Sequence, residues 1–299
     1  MEISEDKLNN KLRERISNSN SIIQTCCYSR HVYEKIIWQI TDKCPLNCQY
    51  CFTPGSKPSD ISMDSALYLL RYLREKYPWK HRILFAGREP LLYDGIEKLI
   101  LEATANRFIC SLSTSGELLT KYFAEKLNDS GLQKINFTLN SSDPDIHEKS
   151  RVGSQHSKVV KAISLALDFE FDVKVNIVVD ENTYPSLDDT LKFLIGLGVH
   201  KITLGMLHPF GKQSVPKARY NQMCSWIYKI LNKYQTLNVE LLFIQPPTGI
   251  ECFHLPNCPA RKGLIAILPN GRITNCNIFT NPFDQHFIGE HIMEEYKYE

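Results

Sequence analysis

The stretch that decides the fold is "CPLNCQYCF", Cys44 to Phe52, which carries Cys44, Cys48 and Cys51 at spacings of four and three residues. Three thiols are one short of a closed tetrahedral zinc site and an odd number for disulfides. The loop follows the apolar, β-branched run "KIIWQI" at 35–40. It therefore sits at the C-terminal end of a first strand, the end where parallel α/β architectures place their chemistry. Three thiolates on one tight loop suit three irons of a cubic [4Fe–4S] cluster, because its corners lie near one another. The fourth iron is then open to an exogenous ligand. Zinc is the competing reading. It needs a fourth ligand, and Asp42 is close by, but zinc spacings usually pair Cys-x2-4-Cys with a second, distant pair.

Working outward from the loop, strand-like runs alternate with helical periodicity. The strand runs are "KIIWQI", "RILFAG", "RFICSLST", "KINFTLN", "VKVNIVV" and "KITLGML", and a helix-like segment follows each. Six β–α units of this kind predict parallel strands joined by crossover helices. The alternation stops after about residue 243. "QPPTGIECFHLPNCPARKG" is rich in turn formers, and "LIAILPNGRITNC" predicts a hairpin around Pro-Asn-Gly. The predicted organisation is a leader at 1–33, helical or partly disordered, a barrel domain at 34–243 and a small second domain at 244–299.

The composition is that of a globular chain: 299 residues, 43% apolar, formal net charge +2. The near-neutral balance gives no electrostatic case for nucleic acid. The N-terminal stretch has no apolar signal-peptide core, and no segment holds ~18 uninterrupted apolar residues. A cytoplasmic protein with reduced thiols is expected. Ten cysteines then need explaining without disulfides. Cys110 and Cys224 fall in apolar runs and read as small buried hydrophobes. The adjacent pair Cys26 and Cys27 receives no role.

The Cys-x3-Cys-x2-Cys loop after a first strand, with Tyr50 and Phe52 beside it, resembles the signature of the radical S-adenosylmethionine superfamily. The resemblance implies a partial (β/α)6 TIM-type barrel with a small C-terminal α+β cap. It also implies a [4Fe–4S] cluster on Cys44, Cys48 and Cys51 whose open iron holds S-adenosyl-L-methionine. "GREP", Gly87 to Pro90, resembles the family's Gly-Gly-Glu-Pro turn, with Arg88 in place of the second glycine. Glu89 is expected to meet the methionine ammonium; its bland alternative is a carboxylate in a surface turn. "STSGELL" resembles the family's Thr-Asn-Gly turn. In "INFTLNSSDPDIHEKSRVG", Thr138 falls where a hydroxyl meets the ribose or methionine, and Asn140 replaces an aspartate. Arg151 is a candidate partner for the methionine carboxylate, against a plain loop salt bridge. Asn176 is a polar residue in an apolar strand. It faces either the cofactor or a backbone carbonyl of the barrel. His147 is expected to be structural.

A second group, Cys252, Cys258 and Cys276, resembles a truncated SPASM or twitch domain carrying one auxiliary [4Fe–4S] cluster. No cysteine follows Cys276, so His254, a backbone amide or the substrate would take its fourth iron; zinc is the alternative. The resemblance implies hydrogen abstraction by a 5′-deoxyadenosyl radical, with electrons from a flavodoxin- or ferredoxin-type donor and no membrane partner. The expected substrate is a ribosomally made peptide to be crosslinked, epimerised or oxidised. A small-molecule oxidase or rearrangement enzyme acting on a sugar or nucleotide is the second reading. A non-catalytic iron–sulfur redox or sensor protein is the third.

Overall fold

The computed structural model describes residues 22–25, 34–51, 60–206, 217–234, 239–245 and 264–274. Its strands are β1 (Ile22–Thr25), β2 (Lys35–Thr41), β3 (Arg82–Gly87), β4 (Ile109–Ser113), β5 (Lys134–Thr138), β6 (Asp172–Val179), β7 (Lys201–Met206), β8 (Glu240–Gln245), β9 (Ile265–Ile267) and β10 (Ile273–Thr274). They form one sheet in the order β1-β8-β7-β6-β5-β4-β3-β2-β9-β10. All neighbours are parallel except β9 and β10. The helices are α1 (Met63–Lys76), α2 (Ile96–Ala105), α3 (Lys121–Asp129), α4 (Pro144–Ser150), α5 (His156–Asp168), α6 (Leu187–Gly196) and α7 (Lys217–Lys233). One or two helices follow each of β2 to β7, so the six expected β–α units of a partial barrel are present.

Strand alternation divides the barrel into two faces. In β6 the residues Val173, Val175, Ile177 and Val179 are buried, while Asp172, Lys174, Asn176 and Val178 are partly open. The buried set joins Trp38, Phe85, Leu112 and Phe137 in the core beneath the helices. The other set lines the lumen. The helices start where the side chains allow it. Ser62, Thr120 and Asp143 cap α1, α3 and α4 by accepting backbone N–H bonds, and Pro144 opens α4 without needing its own N–H.

Two expectations change. The leader is not purely helical or disordered: its residues 22–25 form β1, which pairs in parallel with β8. "IIQT" is too short to show a period, but a free strand edge satisfies its backbone. A further strand, β8, follows the six expected ones and ends at Gln245, two residues beyond the expected barrel boundary. The Pro-Asn-Gly hairpin is present as β9 and β10, and β9 pairs in parallel with β2, extending the barrel's own sheet. The rest of the expected second domain, with Cys252, His254, Cys258 and Cys276, lies outside the described residues, as do Cys26, Cys27 and Phe52. Among the described residues no helix is long and apolar enough to cross a membrane.

Candidate functional site

The three thiols stand at the rim above β2, and the loop that carries them is fixed from both sides. At its start, Asp60 accepts a bond from the Thr41 hydroxyl (2.8 Å) and pairs with the Lys43 ammonium (2.7 Å). Further along, the Asn47 N–H donates to the Val152 carbonyl (2.8 Å) and the Gln49 N–H to the Ser150 carbonyl (3.3 Å). The chain just after α4 is thus the platform for the cysteine loop. Gly153 closes that platform with φ +94°, and a Cβ there would come to 3.3 Å from the Pro45 carbonyl oxygen. Only glycine meets both demands without strain.

Cys44, Cys48 and Cys51 line one cavity of about 260 Å³ with Tyr50, Gly87, Arg88, Thr114, Ser115, Thr138 and Arg151. Burial pushes the Cys44 and Cys48 thiols up. The Leu46 N–H, 3.4 Å from the Cys44 sulfur, and the Arg151 guanidinium near Cys48 pull the other way. Metal coordination deprotonates such thiols outright. Among the described residues no three His, Cys, Asp or Glu side chains converge as one metal ion would need. Three thiols lining one cavity, with no fourth protein ligand among them, are the donor set that leaves one corner of a cubane open. The donor set therefore fits a [4Fe–4S] cluster.

The "GREP" turn forms the adjoining wall, at the end of the neighbouring strand β3. Gly87 has φ +117°, and a Cβ would meet the Thr41 carbonyl oxygen at 3.0 Å. The turn docks on the start of the cysteine loop, with the Glu89 N–H donating to the Lys43 carbonyl at 3.0 Å. Glu89 is fully buried rather than on a surface turn. One oxygen accepts from the Thr114 hydroxyl (2.7 Å) and the Leu91 N–H (3.2 Å). The other accepts from the Ser115 N–H (2.8 Å) and the Ser115 hydroxyl. Four donors on two oxygens are what an ionised carboxylate can satisfy. Thr114 and Ser115, which Glu89 holds, face the cavity; Glu89 is not among the residues that line it.

Arg151 is buried, and its Nη1 donates to the Thr138 carbonyl at 2.9 Å. Burial opposes its charge, but Tyr50, Cys48, Glu89 and Glu117 outweigh that and raise its pKa. Its Nε has no hydrogen-bond partner. A buried guanidinium with a free donor, lining a cavity, suits an incoming carboxylate. Asn176 takes the other course open to it. Its amide donates to the Phe137 carbonyl at 3.1 Å, and it is not among the cavity-lining residues. His147 is wholly buried; its Nδ1 accepts from the Asn140 N–H (3.2 Å), and its Nε2 faces the Ser154 hydroxyl (3.1 Å). Asn140 donates to Ser150 and accepts from the Val178 N–H, tying the platform to β6. Cys110 and Cys224 are buried and line no cavity described here. Thr114 and Ser115 fall in the "STSGELL" turn that resembles the family's Thr-Asn-Gly turn, but motif reading gave neither of them a role. Their signal was only a pair of small hydroxyls at the end of a strand.

The Radical SAM superfamily profile matches residues 38–194, just over half of the chain, and the chain belongs to that superfamily. A [4Fe–4S] cluster and S-adenosylmethionine are the cofactors of its members. Among curated proteins, the chain is 33% identical over 173 residues to a probable GTP 3′,8-cyclase of Methanococcus aeolicus, covering 54% of this chain and 55% of that protein. It is 24% identical over 205 residues to an AdoMet-dependent heme synthase of Nitratidesulfovibrio vulgaris, covering 64% of this chain and 55% of that one. The chain thus spans about half the length of these relatives. Among solved structures, Streptococcus suis SuiB superposes with TM-score 0.69 at 15% identity, over 88% of this chain and 65% of SuiB. The AdoMet-bound anSMEcpe superposes with TM-score 0.65 at 17% identity, over 86% of this chain and 74% of that one. These likenesses establish the partial-barrel fold.

Proposed function

We propose that this chain is a radical S-adenosylmethionine enzyme that abstracts hydrogen from a peptide substrate. The observation that carries the reaction class is the convergence of Cys44, Cys48, Cys51 and Arg151 on one cavity. When bound, a [4Fe–4S] cluster supplies the electron that splits S-adenosylmethionine into methionine and a 5′-deoxyadenosyl radical. The three thiols hold the cluster. Arg151 offers its unpaired N–H to the methionine carboxylate. Glu89 orders the Thr114 and Ser115 wall, and its charge favours a nearby ammonium. Thr138, at the end of β5, lies beside Arg151 and offers a hydroxyl to the ribose or methionine. The narrow cavity holds the reacting carbon near the radical and keeps bulk water out, which is the protein's share of the catalysis.

The peptide reading draws support from fold likeness to SuiB bound to its precursor peptide SuiA and to anSMEcpe bound to the Cp18Cys peptide. Cys252, Cys258 and Cys276 would hold an auxiliary cluster that accepts an electron or anchors the substrate. A nucleotide substrate is the second reading. It is favoured by the higher sequence identity to a probable GTP 3′,8-cyclase and by a GTP 3′,8-cyclase of Petrotoga mobilis that aligns with 80% of this chain.

Anaerobically reconstituted protein should bind roughly eight irons, four per cubane. Replacing Cys44, Cys48 and Cys51 together by Ala should halve the iron and abolish 5′-deoxyadenosine formation under reductant. Zinc-only protein would defeat the reading. Mass spectrometry then separates the substrates: a mass change in a co-expressed neighbouring peptide supports the first, and a new product from GTP supports the second. Cluster binding without any deoxyadenosine would leave a redox or sensor role.

A further inference from the structure

Arg88 puts a cation into this cavity where the Gly-Gly-Glu-Pro pattern has none. Its side chain lines the cavity with Cys44. The backbone fixes it there: the Arg88 N–H donates to the Thr41 carbonyl (3.4 Å), and the next N–H donates to Lys43, the residue before Cys44. Its Nε is buried and has no hydrogen-bond partner. The adjacent carboxylate, Glu89, turns its two oxygens to Thr114, Ser115 and Leu91, so its charge acts on this site only through space, in the sense opposite to that of Arg88. A guanidinium stays charged in any such setting. Arg151 lines the same cavity on the side of Thr138. Two cations thus share one cavity with the three thiols.

We propose that Arg88 is a redox-tuning residue: its charge beside Cys44 stabilises the electron added to a cluster held by Cys44, Cys48 and Cys51, and raises that cluster's reduction potential. The proposal rests on the cluster reading above. The step is a one-electron reduction. A single electron passes from dithionite, or from a flavodoxin-type donor, to the cluster; no bond breaks and no proton moves. Net charge and buried hydrogen bonds at the sulfurs are what set such potentials. Removing one cation from a cavity of low dielectric should change the reduction equilibrium about tenfold, or ~59 mV for a one-electron couple.

The test is an anaerobic redox titration of the reconstituted full chain, followed by electron paramagnetic resonance. The relevant cluster is the one whose spectrum changes when S-adenosylmethionine is added. Arg88→Gly restores the family's glycine, and Arg88→Gln removes the charge but keeps most of the side chain. Both should titrate at a more negative potential than the wild type, by about tenfold in the equilibrium, and Arg88→Lys should stay near it. Equal potentials in wild type, Arg88→Gly and Arg88→Gln overturn the proposal. So does a drop that Arg88→Lys shares, since packing and not charge would then be at work. An unchanged potential with weakened S-adenosylmethionine binding would reassign Arg88 to a ligand carboxylate and overturn it too. Wild-type protein with no S-adenosylmethionine-responsive cluster would remove the cluster reading, and this proposal with it.

Discussion

The two ends of the barrel treat charge in opposite ways. At the N-terminal end of the strands, Asp172 on β6 binds Lys134 at 3.1 Å and Lys201 at 2.6 Å. Lys134 is its direct cross-strand neighbour and Lys201 comes from the strand on the other side. The protein closes this charge cluster itself. At the C-terminal end, Arg88 and Arg151 each keep a buried Nε without a partner. Arg82, at the start of β3, also has a buried Nε without a hydrogen bond, but the Glu34 carboxylate stands 3.4 Å from it; Arg88 and Arg151 instead line the cavity, where a bound anion could meet them. One barrel therefore has an end where a carboxylate and two lysines pair across the strands and an end where two arginines line a cavity.

Glu89 is the sharpest way to break that comparison, because it is a fully buried charge at the open end that the protein satisfies by itself. Glu89→Ala strands the Ser115 and Leu91 N–H groups inside the protein and should destabilise the barrel by on the order of 3 kcal/mol. Glu89→Gln turns an amide N–H₂ toward donors and should cost less, while still weakening S-adenosylmethionine binding. Urea denaturation of both variants, alongside binding titrations, checks the order. Wild-type stability in Glu89→Ala would mean that the turn repacks without its carboxylate.

Arg151 should behave in the reverse way. Arg151→Met loses one bond to the Thr138 carbonyl but also removes a buried cation with an unpaired nitrogen. Stability should therefore change by no more than about 1 kcal/mol. Affinity for S-adenosylmethionine should fall ~10- to 100-fold, the worth of one charge-assisted bond. Equilibrium dialysis and thermal melts on the same samples separate the two effects. A large stability loss with unchanged affinity would make Arg151 a brace for Tyr50 and the loop, not a ligand group.

How much of this was legible in the sequence follows the same division. Strands and helices with long periodic runs, such as β6 and α1, declared themselves through alternation and caps. The cysteine spacing declared the cluster loop, since it is local and chemically unusual. β1 did not, because four residues carry no period, and its partner β8 lies more than 200 residues away. Nor did α4, whose seven residues make barely two turns and show no helical period, although its Asp143-Pro144 start is a readable cap. The partners of Glu89 were invisible for a different reason. Thr114 and Ser115 are ordinary residues that matter only because β3 and β4 run side by side. Asn176 shows the limit from the other side: a polar residue in an apolar strand signals a partner but does not say which.

Acid sharpens the contrast between the ends by its pH windows. Burial, with Arg151 and His156 close by, pushes His147 down to about 3 from an ordinary 6.5. The unfolded chain then takes up a proton below pH 6.5 that the folded chain refuses, so stability falls as pH drops from 6.5 toward 3. His147→Gln, which keeps a neutral donor and acceptor, should flatten that slope. Asp172 acts later. Burial opposes its charge, but hydrogen bonds from Lys201 and Lys134 outweigh it and hold its carboxyl below the ordinary 3.8. Its contribution is present above pH 3.8 and is lost as pH falls through its lowered folded value. The pairs are partly open to water, so Asp172→Asn should cost only about 0.5–1 kcal/mol at pH 7. Urea midpoints at pH 7, 5.5 and 4.5 should fall in parallel for wild type and Asp172→Asn, and stay flatter for His147→Gln. A flattened slope in Asp172→Asn above pH 4.5 would show that its carboxylate titrates in the ordinary range, and that the closed end of the barrel is not closed by charge.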